Sequence, residues 1–331
     1  MWKIKKGELI MNLKFIKENV DINGEVSLRG TIAIPEVEKD KLPAVLIING
    51  SGGADRDGNM KKPAMNSNIY KELAYFITSL GFITLRYDKR AVGESEGNPH
   101  TIGMMDLVND IKSNISFLRN HPRVDAEKII LVGHSEGCIL STIVNTTMPV
   151  SGLILLSGAG TNIWEPMQYQ NRQILEEVKT MRGLKGILLR LVLNEEKLNK
   201  QQESLYTTMI NSTGDTIKFK GKKMPAKWFR EHFKYSNDEI LTALNTAKCP
   251  VLAVTGDKDA QADYKDLEKI KALGNNNIRC EVIENMDHML KEFSGQKSVL
   301  NIMKQYKNET SQPIHPKLKA AIEEWLNKFN K

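Results

Sequence analysis

The sequence predicts an α/β protein, with a mostly parallel sheet, helices on both faces and a helical insertion. Three observations carry this. Short β-branched runs alternate with amphipathic stretches of helical period from residue 43 to residue 156. The alternation stops over residues 161–247 and resumes at Pro250-Val-Leu-Ala-Val-Thr. At Ile129 to Ser141 a buried strand turns directly into a helix, with a serine at the apex.

Taken in order, residues 13–36 alternate apolar and polar in two runs around Asn23-Gly24, a hairpin signal. An antiparallel pair at one edge of a parallel sheet is common. Pro43-Ala-Val-Leu-Ile-Ile is a buried strand that ends in Asn49-Gly50-Ser51-Gly52-Gly53. Residues 67–80 form a helix through Ile69, Leu73, Phe76, Ile77 and Leu80, stopped by Gly81. Phe82 to Tyr87 is a strand and Asp88 to Gly97 a polar loop. Residues 101–120 form a helix with Met105, Leu107, Ile111, Ile115 and Leu118 inward, broken by His121-Pro122.

After the apex serine comes a strand at Gly152 to Leu156. The insertion contains no buried strand and reads as amphipathic helices, with Ile174, Leu175, Val178 and Met181 on one face, then Leu188, Leu189 and Val192. Lys218 to Lys234 is rich in Lys and Arg with Trp228, Phe229 and Phe233 interleaved; the aromatics are expected inward and the charges in water. Asp263 to Leu273 is a helix, Ile278 to Ile283 the last strand, and residues 315–329 a closing helix. The organisation is a core of residues 1–160 and 248–331 with a helical cap or lid at 161–247.

The composition bounds the function. The chain has 331 residues, 40% hydrophobic and 26% charged, and a net charge of +7. No apolar run is long enough to cross a bilayer, so no stable membrane insertion is expected. The N-terminal Met1-Trp-Lys-Ile-Lys-Lys is basic but is followed by no signal core, and Met11 could be the true start. Residues 161–249 hold 15 Lys or Arg against 10 Asp or Glu, yet no nucleic-acid module accompanies them. Cys138, Cys249 and Cys280 have no metal-like spacing and read as free buried thiols of a reducing compartment, which points to the cytoplasm. Oligomeric state is not legible.

The chemistry centres on Gly133-His134-Ser135-Glu136-Gly137, a G-x-S-x-G between strand and helix. A serine hydroxyl needs a base, and that base an orienting acid. In this setting the order is Ser, then Asp or Glu, then His, each after a strand. Of the six histidines only His288 follows a late strand. Asp257 and Asp259 both follow Thr255; Asp259 leaves the chain a loop in which to turn and is preferred, with Asp257 as a turn cap and Asp263 at a helix start. The oxyanion donors expected are the backbone N–H groups of Glu136 and of Ser51, with Gly52 as second choice for Ser51.

On these residues the chain resembles serine hydrolases of the α/β-hydrolase superfamily, and most closely bacterial carboxylesterases near the dienelactone-hydrolase and acylaminoacyl-peptidase branches. The segments that carry the likeness are residues 49–58, 86–95, 124–137, 256–259 and 287–290. The resemblance implies an eight-stranded, mostly parallel sheet, a lid between strands six and seven, no cofactor, no metal, and hydrolysis of small or medium acyl esters through an acyl-enzyme. It leaves a serine peptidase of the acyl-peptide type, or an acyltransferase, as the nearest alternative, and a non-catalytic ligand-binding relative as a further one. Asn49 stands where many relatives have histidine, so no imidazole is expected to support that loop. Ala91 and Cys138 replace common glycines. Asp55, Arg56, Asp57, Asp88 and Arg90 are expected to form one charge network beside the site.

Overall fold

The computed structural model describes residues 14–330. The basic segment Met1 to Lys6 and the alternative start at Met11 lie outside them. The described chain begins with the expected hairpin, β1 (Phe15–Asn23) and β2 (Ser27–Pro35), with Asn23 opposite Ser27. β3 (Leu42–Ile48) enters the middle of the sheet. A small hairpin that the sequence reading did not include, β4 (Asn59–Lys61) and β5 (Ala64–Asn66), precedes α1 (Ile69–Ser79). Then come β6 (Ile83–Tyr87), α2 (Met104–Asn120), β7 (Val124–His134), α3 (Glu136–Thr147) and β8 (Gly152–Leu156).

The inserted region holds α4 (Trp164–Thr180), α5 (Gly183–Val192), α6 (Glu195–Ile210), the strands β9 (Ile217–Phe219) and β10 (Lys222–Met224), α7 (Ala226–Phe233) and α8 (Asn237–Asn245). The chain closes with β11 (Val251–Gly256), α9 (Asp266–Lys271), β12 (Ile278–Ile283), α10 (Ile302–Asn308) and α11 (Pro316–Leu326). The sheet has eight strands in the order β1-β2-β6-β3-β7-β8-β11-β12. β1 and β2 pair antiparallel at one edge, β2 meets β6 antiparallel, and from β6 to β12 all pairs are parallel.

Both faces of the sheet are buried, which is why its strands read as continuous apolar runs. Along β3, Ala44, Leu46 and Ile48 join one apolar layer, while Val45 and Ile47 join the other. β7 alternates the same way, Ile129 and Leu131 against Ile130 and Val132. Each such buried aliphatic side chain contributes about 1.5–3 kcal/mol. α2 and α3 cover one face and α1 and α11 the other.

Three details differ from the sequence reading. In α2 the inward methionine is Met104, fully buried, whereas Met105 is 39% exposed. Positions 104 and 105 are both methionine, so the apolar period alone does not decide which of them faces the sheet. In the inserted region, β9 and β10 form a hairpin where only helices were expected; its side chains are exposed or half-buried, so no buried strand signal marks it. In α5, Leu188 and Val192 are not inward. They are exposed, as are Leu184, Ile187 and Leu191, while Leu189 is half-buried. Helical period identifies an apolar face without specifying what covers it.

The inserted region has a small apolar cluster of its own, with Met209, Ala226, Phe229 and Phe233, and Trp164 edge-on to Phe233. Lys218 to Lys234 thus has Phe229 and Phe233 inward, as expected. It is tied to the sheet domain by Lys227 Nζ on Asp106 Oδ2 at 2.7 Å and by the Met105 amide donating to Glu231 Oε2 at 2.8 Å. Ile240 and Leu244 of α8 pack in the same layer as α2 and α3.

Candidate active site

Ser135 sits between β7 and α3 with φ 54° and ψ −119°, a conformation that non-glycine residues rarely adopt. Backbone hydrogen bonds on both sides hold it there. The Ser135 N–H donates to Leu156 O at 2.9 Å, and the Cys138 N–H donates back to Ser135 O. A Cβ at Gly133 would collide with the carbonyl of Gly137, and one at Gly137 with the carbonyl of Ile48. The two glycines are therefore required by close backbone approach rather than by their own φ.

Asp259 leaves the end of β11 and His288 follows β12. The two turns touch: a Cβ at Gly256 would overlap the carbonyl of Met286. His288 Nδ1 donates to Asp259 Oδ2 at 2.9 Å and lies 3.1 Å from Oδ1. Oδ1 also accepts the N–H groups of Gln261 and Ala262, both at 2.8 Å. Burial opposes the charge on Asp259, but His288 and these donors outweigh it and hold the carboxyl below its ordinary range. Burial likewise opposes a charged His288, yet Asp259 and then Asp287 raise its pKa above the usual value. With Nδ1–H on Asp259, the lone pair of Nε2 is free to take a proton.

Ser135 and His288 border one cavity, together with Ser51 and Glu136. Among the described residues the Ser135 hydroxyl has no hydrogen-bond partner. Nucleophile–base contacts are often loose without substrate and tighten in the complex.

The raised pKa of His288 has a measurable consequence. A base must be neutral to act, so a reaction that uses this ring as its base, read as kcat/KM on p-nitrophenyl butyrate, should slow as pH drops through the pKa of the ring. The acid limb is expected to lie above the ordinary histidine value of about 6.5. A pH–rate profile with its limb below that value would show that Asp259 does not charge-stabilise the ring.

The loop after β3 supplies the remaining wall. Neither the Ser51 nor the Glu136 amide donates to any backbone or side-chain acceptor among the described residues. Ser51 borders the cavity with Ser135; Gly52 does not. The loop is held by a relay. The Gly50 N–H donates to Tyr70 Oη at 2.9 Å, and Tyr70 O–H donates to His134 Nδ1 at 2.9 Å. His134 Nε2–H donates to the carbonyl of His288 at 2.8 Å. Burial and the neighbouring His288 push the pKa of His134 down to about 3, so the ring stays neutral and this tautomer is fixed. The expectation that no imidazole supports this loop is thereby corrected. Asn49 carries none, but His134, the variable residue of the elbow, does the work from the opposite side.

A second cluster was missed by sequence reasoning. Glu136 is buried, and its carboxylate is held by Trp228 and Lys89, with the His232 ring against it. Trp228 Nε1–H donates to Oε1 at 2.6 Å, and Lys89 Nζ lies 3.5 Å from Oε2. His232, whose Nδ1–H donates to Trp228 O at 2.8 Å, brings Nε2 to 3.2 Å from Oε1, too poorly aligned to count as a hydrogen bond. Burial opposes the charge, but Lys89, His232 and Trp228 lower the pKa of Glu136 to about 2. Lys89 Nζ also donates to Gly50 O at 2.6 Å. One carboxylate thus ties together α7, the elbow and the Gly50–Ser51 peptide. The available signal was the i, i+4 pair Trp228 and His232, which share a helix face.

Glu136→Gln keeps an acceptor for Trp228 but removes the charge that holds Lys89. We expect kcat to fall about 10–100-fold, short of losing a donor outright, with KM nearly unchanged. Steady-state kinetics on p-nitrophenyl butyrate measures the split, and a change confined to KM would contradict a positioning role.

The other expectations fall as follows. Asp257 Oδ1 accepts the Asn285 N–H at 2.6 Å and caps the turn before His288. Asp263 Oδ1 accepts the Lys265 N–H at 3.1 Å near the start of α9. The expected single charge network is three separate groups: Arg56 binds Asp88 and Glu94, Arg86 binds Asp57, and Arg90 pairs with Asp110 at 2.7 Å, while Asp55 Oδ1 accepts the amides of Asp57 and Asn59. Ala91 has φ 61°, where the glycine it replaces would be unstrained. Cys138 and Cys249 are buried, but Cys280 is only half-buried. Among the described residues no cluster of His, Cys, Asp or Glu is arranged to hold a metal, and no helix is long and apolar enough to cross a membrane.

Residues 64–292 match the profile of the family described as Serine aminopeptidase, S33. Esterase EstD of Thermotoga maritima is 25% identical over 293 residues, covering 88% of this chain and 64% of that protein. The chain therefore spans under two thirds of that relative. Polyketide transferase af380 of Aspergillus fumigatus is 28% identical over 126 residues, covering 35% of this chain and 41% of that protein. Among solved structures, Est1E of Butyrivibrio proteoclasticus with ferulic acid bound has a TM-score of 0.58 at 16% identity, covering 94% of this chain and 98% of that one. The Pyrococcus furiosus esterase Pf2001 has a TM-score of 0.53 at 14% identity, covering 99% and 98%.

Proposed function

The chain belongs to the serine aminopeptidase S33 family of α/β-hydrolases, and from that premise we propose that it hydrolyses carboxylic esters of small or medium acyl groups. Ser135 is the nucleophile, His288 the base and Asp259 its orienting acid. The observation that carries this reading is the Asp259–His288 pair at 2.9 Å on the same cavity as a strained, elbow-borne Ser135. The esterase names of EstD, Est1E and Pf2001 support the same reading.

In this mechanism Ser135 Oγ attacks the acyl carbon as its proton passes to His288 Nε2. The oxyanion is held by the amides of Ser51 and Glu136. The tetrahedral adduct collapses, the carbon–alkoxide bond breaks, and His288 Nε2–H gives its proton to the departing alcohol. Water then attacks the acyl-enzyme with His288 as base, and the acid and free Ser135 are released.

The family description favours a second reading, an aminopeptidase. Such an enzyme needs a carboxylate near the scissile bond to anchor the substrate ammonium. Among the described residues bordering the Ser135 cavity and the larger apolar cavity that adjoins it at Ser51 and Glu136, Glu136 alone carries a carboxylate, and it is engaged by Lys89 and Trp228 with His232 beside it. That weighs against a free amino terminus in the substrate. Residues 161–247 act as a cap over the site, and free thiols at Cys138, Cys249 and Cys280 accord with a cytoplasmic protein. The partner is a small-molecule ester, with no part for nucleic acid. Loss of p-nitrophenyl butyrate hydrolysis in Ser135→Ala, set against turnover of an acyl-peptide and of an aminoacyl p-nitroanilide with a free amino group by the unaltered protein, tests the reading.

A further inference from the structure

Two cavities meet at Ser51 and Glu136, the residues whose amides face the oxyanion in the reading above. They differ in chemistry. The larger, about 470 Å³, is walled by Val92, Ile102 and Leu107 from the sheet domain and by Met224, Trp228 and Phe229 from the inserted region. The charged residues on its border are committed elsewhere: Lys89 to Glu136 and the Gly50 carbonyl, Arg90 to Asp110. The smaller, about 70 Å³, contains Ser135 and His288 and is edged by polar side chains.

The direction of the substrate follows from the proton. His288 must protonate the departing alkoxide, so the alcohol lies in the cavity that His288 borders. With the oxyanion between the Ser51 and Glu136 amides, the acyl group is left pointing into the larger, apolar chamber.

The smaller slot holds a group with an unmet demand. Ser157, just after β8, is 1% exposed, and its hydroxyl has no hydrogen-bond partner among the described residues. Of the polar side chains on the slot, Ser157 is the one that is both buried and unpartnered, and two of its neighbours are occupied. Asn162 donates to Tyr235 O and accepts from the Trp164 amide, and Gln261 donates to Tyr306 Oη. Ser157 also has φ 56°, a backbone state that persists in a non-glycine residue only under constraint. A buried hydroxyl without a partner beside a reacting centre is a place for a polar group from the substrate.

Resting on the esterase reading, we propose that the substrates join a bulky apolar acyl group to a short alcohol bearing a further hydroxyl, and that Ser157 is the specificity residue that recognises that hydroxyl.

An isosteric pair tests the alcohol side: 2-hydroxyethyl octanoate and propyl octanoate differ by a hydroxyl in place of a methyl. The unaltered protein should prefer the hydroxyethyl ester by at least about tenfold in kcat/KM, because a site built to bind a hydroxyl rejects the analogue lacking it. In Ser157→Ala the ratio should collapse toward one. Ser157→Gly, which tolerates the positive φ, should do the same if the alanine variant fails to fold. On the acyl side, Ile102→Trp, or Val92→Phe as the second variant, should lower the ratio of p-nitrophenyl octanoate to acetate turnover at least about tenfold. A ratio near one for the isosteric pair in the unaltered protein, a ratio insensitive to both Ser157 variants, or an equal loss on long and short acyl groups would overturn the assignment. If p-nitrophenyl butyrate is still cleaved in those cases, the esterase reading stands while the substrate class falls; if no ester is cleaved at all, both fall.

Discussion

Ser135→Ala should lower kcat for p-nitrophenyl butyrate by at least about 10⁴-fold, and toward about 10⁶-fold if the triad acts as one unit. The size follows from what remains. The Ser51 and Glu136 amides can still polarise a bound carbonyl, and substrate still binds, so some acceleration over water persists. What disappears is the only hydroxyl placed at the elbow apex, and with it the acyl-enzyme. Ser135 makes no side-chain hydrogen bond among the described residues, so its loss breaks no structural contact. Alanine meets the same strained φ of 54° as serine. The thermal midpoint should therefore stay within a few degrees while covalent labelling by a fluorophosphonate vanishes. A variant that keeps full turnover at unchanged stability would place the nucleophile elsewhere.

The elbow and the Asp259–His288 contact were legible in the sequence because each rests on local pattern. Ile129 to Val132 has to be a strand, and Cys138 to Val144 has helical period, so the residue between them has to turn sharply. Asp259 and His288 follow from counting strands: both leave the C-terminal ends of neighbouring parallel strands, β11 and β12. What local pattern cannot give is who meets whom across the sheet. Glu136 lies 92 positions from Trp228 and 47 from Lys89, and nothing in the elbow motif marks its side chain for burial. His134 occupies a position that the motif leaves variable, yet its ring joins Tyr70 to the backbone of His288. The same limit explains α5. Leu184, Ile187, Leu188, Leu191 and Val192 recur at helical spacing, and the spacing is real, but only tertiary structure shows that this face is uncovered. The hairpin β9–β10 escaped for the converse reason. It buries little, so it carries no hydrophobic alternation to be read.

Asp259→Asn should cost about 10⁴-fold in kcat, more than the volume change could explain. The oxygen Oδ1 of Asp259 accepts the Gln261 and Ala262 amides, and an asparagine retains that arrangement by keeping its one carbonyl oxygen there. Its amide nitrogen then faces His288 Nδ1, where Oδ2 stood at 2.9 Å. Two donors cannot share that contact, so the ring moves its proton to Nε2. The nitrogen that should accept from Ser135 becomes a donor, and the base is lost without any atom being displaced. The charge goes too. Asp259 raises the pKa of His288, so removing it must move the acid limb of the residual activity to lower pH. Asp257→Asn is the informative comparison, because sequence alone offers both carboxylates. Asp257 caps the turn at Asn285 and, among the described residues, makes no hydrogen bond or ion pair with the imidazole, which pairs with Asp259, so its loss should weaken the fold locally but leave the acid limb where it was. If the two variants exchanged these behaviours, with Asp257→Asn shifting the limb and Asp259→Asn leaving it in place, the orienting acid would be Asp257 and the pairing at β11 would have to be reassigned.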